Sequence, residues 1–151
     1  MAHAEARPQG CTNLKLKQAS RLVARHYEGY AALTGLRSTQ YSLLSGVVKL
    51  GPLRLGDLAN AMRLDASTLS RNLQPLLDKG LIELHTGADA RSRIVQATPA
   101  GRVLRAEAQK AWKQAQLALN RKLGIERVAR LHALLEDCMA TLADQPGEGD
   151  E

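Results

Sequence analysis

The sequence predicts a mainly α-helical chain with a small β-hairpin, an α+β class in which the hairpin interrupts an otherwise helical order. Three observations predict it. Apolar residues recur at helical spacing from Asn13 to about Leu33, and again from Pro99 to about Leu142. Between Leu81 and Ala97 the pattern shortens to two β-compatible runs around a turn-forming hexapeptide. Thr98-Pro99 then marks a sharp return to helix, with Thr suited to the N-cap and Pro to the first helical position.

Residues 1–12 open with the polar MAHAEARPQG and are expected to form a flexible arm. Leu16, Ala19, Leu22, Val23, Tyr27, Tyr30 and Ala31 then make one helical stripe, with Lys15, Lys17, Arg21, Arg25 and Glu28 between them. Gly35 interrupts, and Ser38 is expected to cap a second helix, Thr39 to Leu50, whose Leu43, Leu44, Val47 and Val48 predict burial on most faces. Gly51-Pro52 ends it.

A short helix is expected over Gly56–Met62, with Leu58, Ala59 and Met62 facing a core, followed by the turn Arg63-Leu64-Asp65. Asp65 can cap the next helix, Ala66 to Lys79, in which Leu69, Leu73, Leu76 and Leu77 form the buried stripe. That stripe leaves Ser67, Ser70, Arg71 and Gln74 outward. Pro75 removes a backbone donor and is expected to kink or loosen a turn, and Lys79-Gly80 stops the helix.

The hairpin is expected over Leu81–Thr86 and Arg93–Ala97, with a basic tip at Gly87–Ser92. The following helix runs to Leu123, where Gly124 breaks it. A last helix, Ile125 to about Leu142, places Val128, Leu131, Leu134, Leu135, Cys138 and Leu142 on one stripe, which reads Cys138 as core. Trp112, alone on the long helix, is expected at an interface between subunits. Residues 144–151, rich in Pro, Gly and acids, are expected to be a disordered acidic tail.

A net charge of +6 favours a polyanionic partner, but its distribution does not locate one. Residues 51–100 carry six Lys/Arg against five acids, whereas residues 101–130 carry eight against Glu107 and Glu126. The two cysteines, Cys11 and Cys138, lie far apart and form no CxxC or Cys/His cluster, so neither a disulfide framework nor a zinc site is expected. His3, His26, His85 and His132 have no metal spacing, and no metal or cofactor is expected.

No apolar run approaches the roughly 20 residues of a membrane span, and the N-terminus is too polar for a signal peptide, so a cytoplasmic protein with no membrane partner is expected. No Gly-rich phosphate loop, HExxH or nucleophile motif is present, which argues against an enzyme.

The element order reads as a helix-turn-helix with a β-wing, a winged helix-turn-helix flanked by helices. A helix enters the roughly 12 Å wide major groove only if its leading face is slim and polar. Ser67, Thr68, Ser70, Arg71 and Gln74 supply such a face. Arg71 can take guanine O6 and N7 together, and the hydroxyls suit phosphates, although Ser67 and Thr68 also suit helix capping. At the hairpin tip, Arg91 can enter the minor groove, with Arg93 beside a phosphate.

Residues 53–101 resemble the winged-helix core of MarR-family regulators. The matching motifs are Leu58-Ala59, Leu69-Ser70-Arg71, Lys79-Gly80-Leu81-Ile82, Asp89-Ala90-Arg91 and Thr98-Pro99-Ala100-Gly101; Gly35-Leu36 and Thr39-Gln40-Tyr41 extend the similarity to about residues 13–142.

The resemblance implies a winged helix-turn-helix domain over 37–99 and a helical dimerisation lobe from 13–36 and 100–143. It implies a homodimer that sets two recognition helices in successive major grooves of an inverted-repeat operator, often a repressor released by a small phenolic or carboxylated ligand. On this resemblance Ser67, Thr68, Ser70 and Arg71 contact groove and phosphate and Arg91 the minor groove, while Asp89 braces the wing by pairing with a nearby arginine. The ligand site it suggests lies near Lys17, Arg21, His26, Tyr27 and Tyr41, where the bland alternative is a solvated basic face with packed tyrosines.

Peroxide-sensing relatives place a reactive cysteine near the start of the first helix. Cys11 lies slightly ahead of that position, with Lys15 nearby, and Tyr27 matches one of their tyrosines. Thiol-based sensing is therefore one alternative. An architectural winged-helix protein without ligand control is another.

Overall fold

The structure, a computed structural model, describes residues 7–89 and 91–143. The expected acidic tail, the first half of the expected arm (residues 1–6) and Ala90 at the wing tip lie outside the described residues. The order is α1 (Thr12–Ala31), a single 3-10 turn (Ala32–Thr34), α2 (Ser38–Leu50), β1 (Leu53–Arg54), α3 (Leu55–Met62), α4 (Ala66–Asp78), β2 (Ile82–Thr86), β3 (Arg93–Ala97), α5 (Pro99–Leu123) and α6 (Ile125–Ala143). The fold is the expected one, mainly helical with a small antiparallel sheet.

One strand was not expected. β1 pairs with β3, Leu53 opposite Val95 and Arg54 opposite Ile94, so the sheet has three strands in the order β1-β3-β2. The hairpin itself is in register from Ile82 opposite Ala97 to Thr86 opposite Arg93. β1 joins the wing to the start of α3, so the wing is anchored at both ends of the helix-turn-helix.

The winged lobe closes its own core. Leu43, Leu44 and Val47 of α2, Leu58 of α3, Leu76 of α4 and Val95 of β3 are essentially inaccessible. Burying each such side chain contributes about 1.5–3 kcal/mol, which is what holds α4 against α2 and α3. Two further links fix α4 at its end. Gly80 adopts φ 67°, which lets the Gly80 N–H reach Leu77 O and the Leu81 N–H reach Leu76 O, and Lys79 Nζ donates to Gly35 O at 3.1 Å.

Several local expectations need correction. Ser38 is the first residue of α2 and not its cap; Arg37 holds that position, and its N–H donates to Gln40 Oε1 at 3.1 Å. α4 runs through Pro75 to Asp78, one residue short of the expected end, with buried Leu73 and Leu76 pinning the helix on either side and the Lys79 N–H still donating to Pro75 O. The turn between α3 and α4 needs a left-handed residue, and Arg63 supplies it at φ 54°.

α5 starts as its sequence predicts. Thr98 Oγ1 accepts the Gly101 N–H at 3.0 Å and donates to Gly80 O at 2.7 Å, tying the start of α5 to the end of α4. Gly101 is required by close approach, since a Cβ there would collide with the Leu81 carbonyl oxygen. Ala108 and Ala115 are fully buried farther along α5, whose body carries both α1 and α6.

α1 and α6 differ from the winged lobe. Cys138 is exposed, contrary to the core position expected for it, and Leu134 and Leu142 on the same stripe are 63% and 69% exposed. The stripe is real, but among the described residues only Val128 of it is buried, with Leu135 half-buried. Trp112 is half-buried within the chain: it stacks on Tyr41 of α2 at a ring distance of 4.0 Å and lies near Tyr27, so it joins α5 to the winged lobe. No helix among the described residues is long and apolar enough to cross a membrane.

Candidate nucleic-acid interface

The leading turn of α4 is organised by Asp65. Its carboxylate accepts the Thr68 N–H at 2.7 Å, the Ser67 hydroxyl at 2.8 Å and the Thr68 hydroxyl at 2.9 Å. Those bonds, the backbone one foremost, hold its pKa down at about 2 although the group is exposed. Hence the two hydroxyls expected to meet DNA are oriented before any partner arrives. Their protons are shared with Asp65, so a phosphate, which can only accept, must draw them away from it.

Along the same face Ser70, Arg71 and Gln74 are exposed, as their spacing against Leu69, Leu73 and Leu76 requires. The Arg71 guanidinium lies 3.5 Å from Thr68 Oγ1, and Gln74 Nε2 donates to Asp78 Oδ1 at 2.7 Å. Arg71 has no acidic partner within 4 Å among the described residues, which leaves most of its donor fork open.

The wing is braced differently from the expectation. Asp89 Oδ1 accepts the backbone N–H of Arg91 at 3.2 Å, and Asp89 O accepts both the N–H and the hydroxyl of Ser92. Asp89 therefore shapes the tip through backbone, not through a guanidinium, and both Arg91 and Arg93 remain exposed. Lower on the hairpin, Gln96 of β3 donates to Glu83 of β2 at 2.5 Å and His85 lies 3.1 Å from the same carboxylate. The Gln96 bond, then that of His85, lowers the Glu83 pKa.

Sequence reasoning passed over Arg54. It is exposed at the β1–α3 corner, and with Arg91 and Arg93 it lines a depression of about 410 Å³ between the first turn of α3 and the wing. No sequence pattern marks it, because the two-residue β1 that sets it beside the wing carries no period.

Of the residues expected at a ligand site, the structure gathers three. His26 Nε2 is 2.8 Å from Ala115 O, Tyr27 donates to Gln116 on α5, and Tyr41 stacks on Trp112. Partial burial raises the Tyr27 pKa. Lys17 and Arg21 lie on the exposed face of α1, and Arg21 lines a separate shallow depression with Gln18, Leu22 and Arg25.

A larger apolar groove, about 420 Å³, runs between α1, α5 and α6 and is lined by Leu16, Val23, Tyr27, Leu119, Leu131 and Leu135, among others. Cys11 is exposed at the N-cap of α1 and makes no capping bond with its thiol.

Known proteins share this arrangement. The chain is 26% identical over 84 residues to the uncharacterized HTH-type transcriptional regulator YwoH of Bacillus subtilis, a match that covers 56% of this chain and 61% of that protein. The chain thus spans about three-fifths of the length of the curated relative it matches. The transcriptional regulator MosR of M. tuberculosis, solved in complex with DNA, superposes with a TM-score of 0.70 at 27% identity, covering 85% of this chain and 98% of that one. The MepR–DNA complex of S. aureus superposes with a TM-score of 0.74 at 18% identity over 88% of this chain and 99% of that one, a likeness of fold alone. Residues 34–92 match the family model described as MarR family, so the winged-helix segment of the chain is similar to that family.

Proposed function

We propose that the protein is a transcriptional regulator that binds double-stranded DNA as a homodimer in the cytoplasm, reading an inverted-repeat operator with α4 and the wing. The observation that carries this reading is the slim exposed face of α4, Ser67 to Gln74, pre-oriented by Asp65 and set beside an arginine-bearing wing. In this reading α4 enters the major groove, where Arg71 takes a guanine edge and Ser67, Thr68, Ser70 and Gln74 settle register. Arg91 reaches the adjacent minor groove and Arg93 a bordering phosphate.

The homodimer is supported by the uncovered groove between α1, α5 and α6 and by exposed leucines beside it, Leu134 and Leu142 among them. Two copies would bury these faces against one another and set two α4 helices about one helical turn of DNA apart, roughly 34–36 Å. The protein acts as a repressor released by a small aromatic, phenolic or carboxylated effector. Support for such a switch is the Tyr41–Trp112–Tyr27 contact, through which a ligand bound near α1 and α5 would bias α2 and the recognition helix packed on it.

Selection of duplexes from a random library, followed by footprinting, tests the reading. An inverted repeat protected on one face of the duplex is expected; no sequence preference would contradict it. A panel of aromatic acids then separates a ligand-controlled regulator, whose thermal midpoint rises and whose operator is released, from an architectural winged-helix protein, which shows neither. The exposure of Cys11 supports thiol sensing as a second reading. In that case peroxide releases DNA from the wild type and not from Cys11→Ser, and equal release from both rules it out.

A further inference from the structure

We propose that the depression between the β1–α3 corner and the wing seats one backbone phosphate of the bound duplex, and that Arg54 is the residue holding it from the helix-turn-helix side. This rests on the DNA-binding reading above. Arg54, Arg91 and Arg93 line the depression against a single acid, Asp57, with Asn60 and Ser92 as neutral neighbours. Among the described residues none of the three guanidiniums has an acidic partner within 4 Å; the one ion pair there is His85 with Glu83. Three unneutralised cations around one small depression repel one another until an anion arrives, which is the signature of an anion seat.

The position of the depression selects a duplex phosphodiester as that anion. Arg54 ends β1, and its register partner Ile94 follows Arg93 on β3, so the corner and the wing are parts of one hydrogen-bonded sheet and approach DNA as a unit. When Arg91 at the tip enters the minor groove, the depression behind it meets the sugar-phosphate backbone bordering that groove. The depression is open enough for a phosphodiester within a continuous strand, and Gly56 in its lining has empty space where a Cβ would stand.

The test uses the full chain, the duplex that it selects from a random library and a mixed-sequence duplex. Arg54→Ala is expected to weaken binding to both duplexes alike, by about tenfold, and to lower the salt dependence by about one released counterion. Arg54→Lys retains most of that dependence, while Lys113→Ala on the outer face of α5 leaves it unchanged. An uncharged methylphosphonate is then placed at each linkage of the selected duplex in turn. One linkage bordering the minor groove is expected to weaken the wild type by the same factor and to cost Arg54→Ala nothing further.

Equal losses for wild type and Arg54→Ala at every linkage, or wild-type affinity for Arg54→Ala, overturn the phosphate seat. If Arg71→Ala still relaxes base preference in that assay, the DNA-binding reading stands without it. A wild type that binds no duplex overturns both. Thermal midpoints of the variants, expected within a few degrees of wild type, confirm that the exposed substitutions leave the fold intact.

Discussion

The winged lobe and the α1/α6 face use the same sequence device with opposite results. In both, leucines recur at helical spacing. The stripe of α4 meets α2 and α3 and is dry, with Leu69 and Leu73 each 2% exposed, whereas the stripe of α6 buries Val128 and leaves Leu134 open to solvent. Periodicity therefore reports that a helix has an apolar face and says nothing of which chain covers it. The first lobe closes its own core within one chain; the second leaves its apolar face open.

Paired substitutions break or sharpen that contrast. Leu58→Ala in the closed core is expected to cost about 2–5 kcal/mol, measured by denaturant unfolding. Leu134→Glu is instead expected to leave the winged lobe folded and to abolish the dependence of the thermal midpoint on protein concentration. If wild-type stability is independent of concentration, the open stripe is not a subunit interface and the contrast fails.

Gly101→Ala tests the seam between the lobes. Its methyl would enter the Leu81 carbonyl, so a loss of about 3 kcal/mol is expected, and a neutral effect would show that the end of α4 is not locked to α5.

A smaller effect separates the recognition helix from the rest of the winged lobe. Because hydrogen bonds hold the Asp65 pKa down at about 2, its contribution is fully present above the ordinary carboxylate range and disappears as the pH falls toward 2. Asp65→Ala should therefore be less stable than wild type at neutral pH, with the difference shrinking on acidification; Asp65→Asn should recover part of it. A difference that does not vary with pH would remove the carboxylate from the account. The smallest change is expected at Arg63, where Gly relieves a left-handed backbone at some entropic expense, for a net gain of about 0.5 kcal/mol in denaturant unfolding.

Much of the fold was legible because its boundaries are local. Asp65 before Ala66, Gly80 after Lys79 and Thr98-Pro99 each define a helix end through bonds within a few residues, and the structure forms them. β1 was not legible: two residues carry no period, and the partner strand lies some forty positions onward. The outward set on α4 followed from its leucines, since buried Leu69, Leu73 and Leu76 at helical spacing determine which others face solvent. Cys138 did not follow, because a stripe does not identify its cover. Asp89 was read as a charge partner when its nearest donors are the backbone N–H groups of a tight turn. Lys17 and Arg21 share α1 with His26 and Tyr27 but stand on its outer face, away from the aromatic contacts with α5.

The central claim is that the exposed face of α4 reads base sequence. It is tested most directly by comparing duplexes selected by wild type with those selected by Arg71→Ala. Wild type is expected to select an inverted repeat with a guanine preference at one position in each half-site. The variant is expected to lose that preference, worth about 1–3 kcal/mol, while keeping its salt-dependent affinity for mixed sequence. Identical preferences for the two proteins, or no preference in the wild type, would contradict the account.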